Sequence, residues 1–256
     1  MRLIIGATAL LVASVAANGQ YCEVERDLAL EMDLRGVSRI EVRSMSGDLV
    51  ITGERSPQRV TATGQACVEK RYRDRIDEIR IIEERDDDVL RIIGYVPQRK
   101  NADWRIGALH LALTVPDDMP IDVTDSSGDL RSQASGPISI KDSSGDIVLE
   151  DINGDVTISI DSSGDIEIRR AGNVDIGVDS SGDIDVRDAT SLRIGKDSSG
   201  DIDARDIAAD VYVGTDSSGS IDVSEVGGDL TVERDGSGDI RYRRVTGSVN
   251  IPMSKQ

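Results

Sequence analysis

The chain has 256 residues, 38% of them hydrophobic but only 2% aromatic, with no Phe at all. A core without bulky rings is narrow and built from Ile, Val and Leu, which suits thin stacked coils better than an ordinary globular interior. The formal charge is −18, and residues 121–245 hold 28 acidic against 12 basic side chains. That excess disfavours duplex nucleic acid and anionic membranes, which select for Lys and Arg, and leaves cations or basic protein surfaces as electrostatic partners.

At the N-terminus, Arg2 precedes an apolar run from Leu3 to Val15, and Ala16 and Ala17 offer small residues for cleavage. This pattern predicts a secretory signal peptide over residues 1–17. The alternative, a membrane anchor, needs a run of ~20 residues, longer than this one. Gly19, Gln20 and Tyr21 before Cys22 do not form a lipid-attachment motif. No other long apolar run is present, so the mature chain is not expected to insert into a membrane. Cys22 and Cys67 predict one disulfide in an oxidising compartment, with two free thiols as the alternative. Two Cys and the single His110 supply too few soft ligands for a structural metal.

Residues 18–120 predict an irregular β part that covers one end of the repeat region. Strands are read at Ile40–Val42, Leu49–Ile51, Arg59–Thr63, Ile79–Ile81, Val89–Ile92 and Leu109–Val115, from apolar and polar residues in alternation. Glu69–Arg75 is read as a single helical turn, and 99–105 as a loop carrying Trp104. That tryptophan is expected to fold over a coil edge, with contact to a sugar as the alternative.

Residues 121–248 are dominated by repetition. Asp-Ser-Ser-Gly-Asp begins at Asp125, Asp142, Asp161, Asp179 and Asp197, and variant copies begin at Asp216 and Asp235. Steps of 17 to 19 residues mark a solenoid. Each unit has two short strands, one after Ser-Gly-Asp and a looser one exemplified by Val156-Thr157-Ile158. Three inward ladders are expected. They run from Ile147 through Ile166 and Ile184 to Ile240, from Leu149 through Ile168 and Val186 to Tyr242, and from Val156 through Val174 and Leu192 to Val249. Gly before Asp serves a backbone conformation that other residues adopt at a cost. The fold class is therefore all-β, a single-stranded parallel β-solenoid of about 18–19 residues per coil, with residues 249–256 and Pro252 as the C-terminal cap.

The Ser-Gly-Asp-Ile/Leu strands, the segment Leu111–Pro116 and the signal peptide together resemble the bacterial putative-adhesin family of exported β-strand-repeat proteins. The resemblance spans about residues 30–250. It implies an exported solenoid at the cell envelope, periplasmic or on the surface, and assigns no functional residue.

The chemistry-bearing pattern is a pair of Asp columns, one starting at Asp125 and the other at Asp129. They are read first as exposed turn formers whose carboxylates accept backbone N–H bonds. The sharper alternative is calcium held between coils by Asp142, Asp146, Asp161, Asp165, Asp179, Asp183, Asp197 and Asp201, since Ca²⁺ takes 6–8 oxygens. His110 lies on the polar phase of its strand without an evident Ser or Asp partner, and no nucleophile elbow or phosphate loop is present. The expectation is a non-catalytic binding or structural module whose partner is an envelope glycan or protein. A polysaccharide-active β-helix enzyme is the remote alternative.

Overall fold

The computed structural model describes residues 22–55, 57–98 and 105–252. The expected signal peptide, Trp104 and residues 253–256 of the expected C-terminal cap lie outside the described residues.

The chain opens with β1 (Val24–Asp33), β2 (Arg39–Ser44), β3 (Leu49–Glu54) and β4 (Arg59–Val68). A 3-10 helix over Lys70–Glu78 leads to β5 (Arg80–Asp86), β6 (Val89–Tyr95) and β7 (Gly107–Pro116). The coils continue with β8 (Ile121–Thr124), β9 (Leu130–Gln133), β10 (Ile138–Lys141), β11 (Ile147–Glu150) and β12 (Val156–Asp161). The two long strands β13 (Ile166–Asp179) and β14 (Ile184–Asp197) run unbroken through a corner. The last are β15 (Ile202–Ile207), β16 (Val211–Asp216), β17 (Ile221–Val226), β18 (Leu230–Asp235), β19 (Ile240–Val245) and β20 (Val249–Asn250).

These strands form two parallel ladders, as the repeat predicts. One passes through β3, β9, β11, β13, β14, β15, β17 and β19. The other passes through β6, β2, β8, β10, β12, β13, β14, β16, β18 and β20. The inward ladders read from the sequence are the observed registers: Ile184 pairs with Ile166 and Ile202, Val186 with Ile168 and Ala204, and Leu192 with Val174 and Val211. Together with an Ile158–Ile176–Ile194–Val213 ladder, they build one continuous core of small branched side chains. Branched residues suit such a pleated, fully covered surface.

The N-terminal part is not a plain continuation of the rod. Ile40 pairs with both Leu90 and Ile121, and Leu49 pairs with both Leu111 and Leu130. The β2–β3 coil is therefore sandwiched between the β6–β7 coil and the β8–β9 coil, although it precedes both in the chain. Beyond β7, β4 and then β1 extend one ladder antiparallel, and β5 does the same beside β6. Reversed strands cover the parallel edge and stop coil-on-coil growth there. The helical element is longer than the one turn expected, and its Ile76 packs with Ala66, Val68, Ile79, Val96 and Leu109 in a small separate core. At the opposite end the last described coil leaves inward-phase residues uncovered, with Tyr242 48% and Val249 37% exposed.

One corner of the coil is built without glycine. Asp151, Arg170, Asp188, Asp206, Glu225 and Arg244 stack there with φ between 53° and 58°. Ion pairs join some successive members, Arg170 to Asp151 and Arg244 to Glu225.

The aspartate columns as candidate functional site

The Asp-Ser-Ser-Gly-Asp corner is knitted coil to coil through almost every residue. The glycine amide donates to the second serine's carbonyl in the following coil, as from Gly182 to Ser199 at 3.1 Å. The second serine's hydroxyl donates to the first serine's carbonyl in the preceding coil, as from Ser199 to Ser180 at 3.1 Å. Gly182 has φ 132°, and a Cβ there would overlap the carbonyl oxygen of Gly164 in the coil before. The glycine therefore allows both a left-handed backbone and close stacking of successive turns.

The outer column behaves as read from the sequence. Asp183 donates its backbone N–H to Oδ1 of Asp165 at 2.9 Å, and Asp201 donates likewise to Asp183 at 2.9 Å. The same bond links Asp165 to Asp146 and Asp146 to Asp129. These carboxylates are partly solvated and satisfy amides at the corner. At the head of the column the pattern ends on a different side chain. Asp129 donates to Asp48 Oδ1 at 3.2 Å, and the Asp48 amide donates to His110 Nδ1 at 3.2 Å. His110 thus occupies the place of the next aspartate. The absence of an Asp partner expected for His110 is corrected: its Nδ1 also lies 3.2 Å from Asp48 Oδ2. The two are 62 residues apart, so nothing in the local pattern joins them.

The inner column contradicts the expectation of exposed turn formers. Asp125, Asp142, Asp161, Asp179, Asp197 and Asp216 are between 0% and 1% exposed. One oxygen accepts a nearby amide at Asp125 (Ser126, 2.8 Å), Asp142 (Ser143, 2.7 Å) and Asp161 (Ser162, 2.8 Å), while their Oδ2 atoms have no partner. At Asp179 and Asp197 neither oxygen meets a donor in good hydrogen-bond geometry, although the amides of Ser180 and Ser181 and of Ser198 and Ser199 lie near enough to favour the charged form. Among the described residues, none of these carboxylates forms an ion pair with Lys, Arg or His. Two ionised carboxylates one coil apart repel by roughly 3 kcal/mol at an effective dielectric of 20, and burial adds a desolvation penalty. Burial, followed by the neighbouring carboxylate, pushes Asp161, Asp179 and Asp197 up to about 6 and Asp125 and Asp216 up to about 7. Burial raises Asp142 as well.

The inward direction had a legible signal. Ile121, Val123 and Asp125 alternate, as do Ile138, Ile140 and Asp142, and all six are buried. Later coils carry one more residue between the apolar pair and the aspartate. A register shift after Ile140 absorbs it, with Ile140 opposite Ile158 but Lys141 opposite Ile160. Such a bulge keeps Asp161 and its successors in the inward phase. Gly195 and Gly214 occupy the bulge position farther along, and a Cβ on either would press on the carbonyl of the coil before it.

The eight aspartates considered for calcium therefore divide. Asp142, Asp161, Asp179 and Asp197 point inside, whereas Asp146, Asp165, Asp183 and Asp201 lie outside with amide bonds to serve. Among the described residues, no group of three or more His, Cys, Asp or Glu side chains converges to hold a metal ion. Cys22 and Cys67 are joined, with Cα atoms 5.4 Å apart, and fasten the start of β1 to the end of β4.

Residues 138–244 match the family described as putative auto-transporter adhesin, head GIN domain. Over these residues the resemblance read from the Ser-Gly-Asp repeats holds. Similar solved structures include a putative adhesin from Bacteroides fragilis, 13% identical, covering 89% of this chain and 97% of that one with a TM-score of 0.44. Another is a putative cell adhesion protein from Clostridium sporogenes, 11% identical, covering 89% and 99% with a TM-score of 0.33. A putative lipid binding protein from Parabacteroides distasonis is 16% identical, covering 87% and 96% with a TM-score of 0.43. No curated protein matches the chain.

Proposed function

We propose, from the family match over residues 138–244, that this chain is an exported, non-catalytic β-solenoid serving as a binding or structural module at the cell envelope. The observation that carries this reading is how the polar residues are used. The repeated Asp, Ser and Gly residues join coil to coil, and His110 completes the outer ladder rather than facing a substrate. What remains for a partner is the pair of striped faces.

On one face Glu167, Asp185, Asp203 and Asp222 lie in register beside Arg169, Arg187 and Arg205. Within a coil these pair, as Arg187 does with Asp185 at 2.5 Å and Arg205 with Asp203 at 3.1 Å. The other face presents Thr157, Asp175, Arg193, Tyr212 and Thr231 in register, with the Arg193 guanidinium 4.6 Å above the Tyr212 ring. Stripes repeating every ~4.8 Å suit a partner that is itself repetitive, an envelope glycan or a protein, because many weak contacts sum through multivalency. The disulfide fits an oxidising location outside the cytoplasm.

The test is binding of the mature protein to purified envelope polysaccharides and to an envelope protein fraction, with calcium, with magnesium and with chelator. Arg193→Gln/Tyr212→Ala and Arg187→Gln/Arg205→Gln, which remove exposed ion pairs without adding charge, should each leave the melting midpoint nearly unchanged, and one pair should abolish binding. Chain cleavage of a polysaccharide, lost on changing one or two acidic residues, would overturn the non-catalytic reading. Binding only with calcium would move the outer aspartates from turn formers to ion ligands.

A further inference from the structure

The inner column is a line of carboxyl groups closed off from water, without counter-charges and with oxygen atoms that nothing else satisfies. Asp179 and Asp197 show this most fully, each 0% exposed with both oxygens unpartnered. Stacked coils set neighbouring members ~4.8 Å apart, and the pairing of Asp161 with Asp179 and of Asp197 with Asp216 keeps them in line. A carboxyl and a carboxylate so placed can satisfy each other through one hydrogen, O–H donating to O⁻, the short charge-assisted type of bond. Two carboxylates cannot.

We propose that the interior aspartate column is a proton-binding site, in which adjacent carboxyl groups from Asp125 to Asp216 share protons along the rod axis, so that the folded solenoid holds protons near pH 6 that the unfolded chain releases. A metal ion fits this column poorly. Calcium takes 6–8 oxygens, whereas each coil offers one or two unpartnered ones, and no third acidic or His ligand converges among the described residues. A proton requires no added volume.

The groups that act on the column are few. They are its own members including Asp235, the Ser44 hydroxyl beside Asp125, Asp146 near Asp161, and the serine amides of the turn. Lys141 and Lys196, adjacent in sequence to Asp142 and Asp197, point outward and are exposed. An Asp in the unfolded chain ionises near 3.8, below the folded values of about 6 to 7. Between those limits the folded state binds more protons than the unfolded one, so the column's contribution to stability is fully present below about pH 3.8, declines as pH rises above it and is lost once pH passes the folded values of about 6 to 7.

Infrared spectroscopy of the folded wild-type protein in heavy water near pH 6 tests this directly. The expected result is a carboxylic-acid carbonyl stretch, which fades as pH rises to 9 and weakens in Asp179→Asn/Asp197→Asn. The wild-type melting midpoint, measured with chelator, should drop by at least about 5 °C from pH 5 to pH 8, and the double variant should respond less. Absence of the acid band in the folded wild type near pH 6 overturns the proposal, and that reading needs no variant. So does a midpoint at pH 8 that calcium or potassium restores to its pH 5 value, which would make the column a metal site.

Discussion

Asp161 and Asp179 are register partners in the parallel ladder between β12 and β13, and neither side chain reaches solvent. Asp161 thus acts on Asp179 through a medium that screens poorly, as Asp142 acts on Asp161. The repulsion from Asp161 is, after burial, the main cause of the upward shift at Asp179. Asp161→Asn should lower the titration midpoint of Asp179 by about one pH unit, read from its side-chain carboxyl carbon by NMR. An unmoved midpoint would show that the two do not interact.

The stacked glycines predict a steep cost for a single methyl group. Gly182→Ala places a Cβ on the Gly164 carbonyl and strains a backbone at φ 132°. The expected loss is roughly 3 kcal/mol or more in urea unfolding. Gly36 also has positive φ but meets nothing within 4 Å, so Gly36→Ala should cost only about 1 kcal/mol of backbone strain. The contrast separates crowding from conformation.

His110 is assigned a structural role that its substitution can check. His110→Ala leaves the Asp48 amide without its side-chain acceptor and should cost about 1 kcal/mol. His110→Asn supplies an oxygen at the same place and should recover part of that loss. If His110→Ala were neutral to stability while abolishing binding to an envelope partner, the histidine would belong to the binding surface instead.

The Cys22–Cys67 bond closes a loop of 45 residues. Cys22→Ser/Cys67→Ser should lose about 4 kcal/mol on the chain-entropy estimate. The loss should appear as early opening of β1 from β4, followed by hydrogen exchange in Val24–Asp33, while the repeats from Ile138 onward keep their protection. Nearest-neighbour coupling in a solenoid confines such damage to the adjoining end.

Below about pH 4 a second trend should oppose the one set by the inner column. Hydrogen bonds from Arg91 to Glu41 and from Arg75 to Glu78 hold those carboxyls below their ordinary value. Their contribution is present above that value and is lost on acidification. A stability profile with its maximum between pH 4 and 6 is the expected sum, measured by urea unfolding across pH 3 to 9.

What the sequence determined by itself is whatever repeats locally. The period, the two strands per coil, the three apolar ladders, the stacked glycines and the outer aspartate column come from residues whose neighbours in space are the same residues one coil away. Tertiary structure alone decided the rest. Ile40 meets Leu90 and Ile121 across long stretches of chain, so the insertion of the β2–β3 coil between later coils leaves no local trace. The same distance hides the Asp48–His110 contact. A left-handed corner made from Asp151, Arg170 and Asp188 carries no glycine to announce it. The inward turn of Asp161, Asp179 and Asp197 depends on a one-residue bulge that reverses the alternation just before each of them. The direction of a side chain in a strand is a parity, and a single added residue changes it.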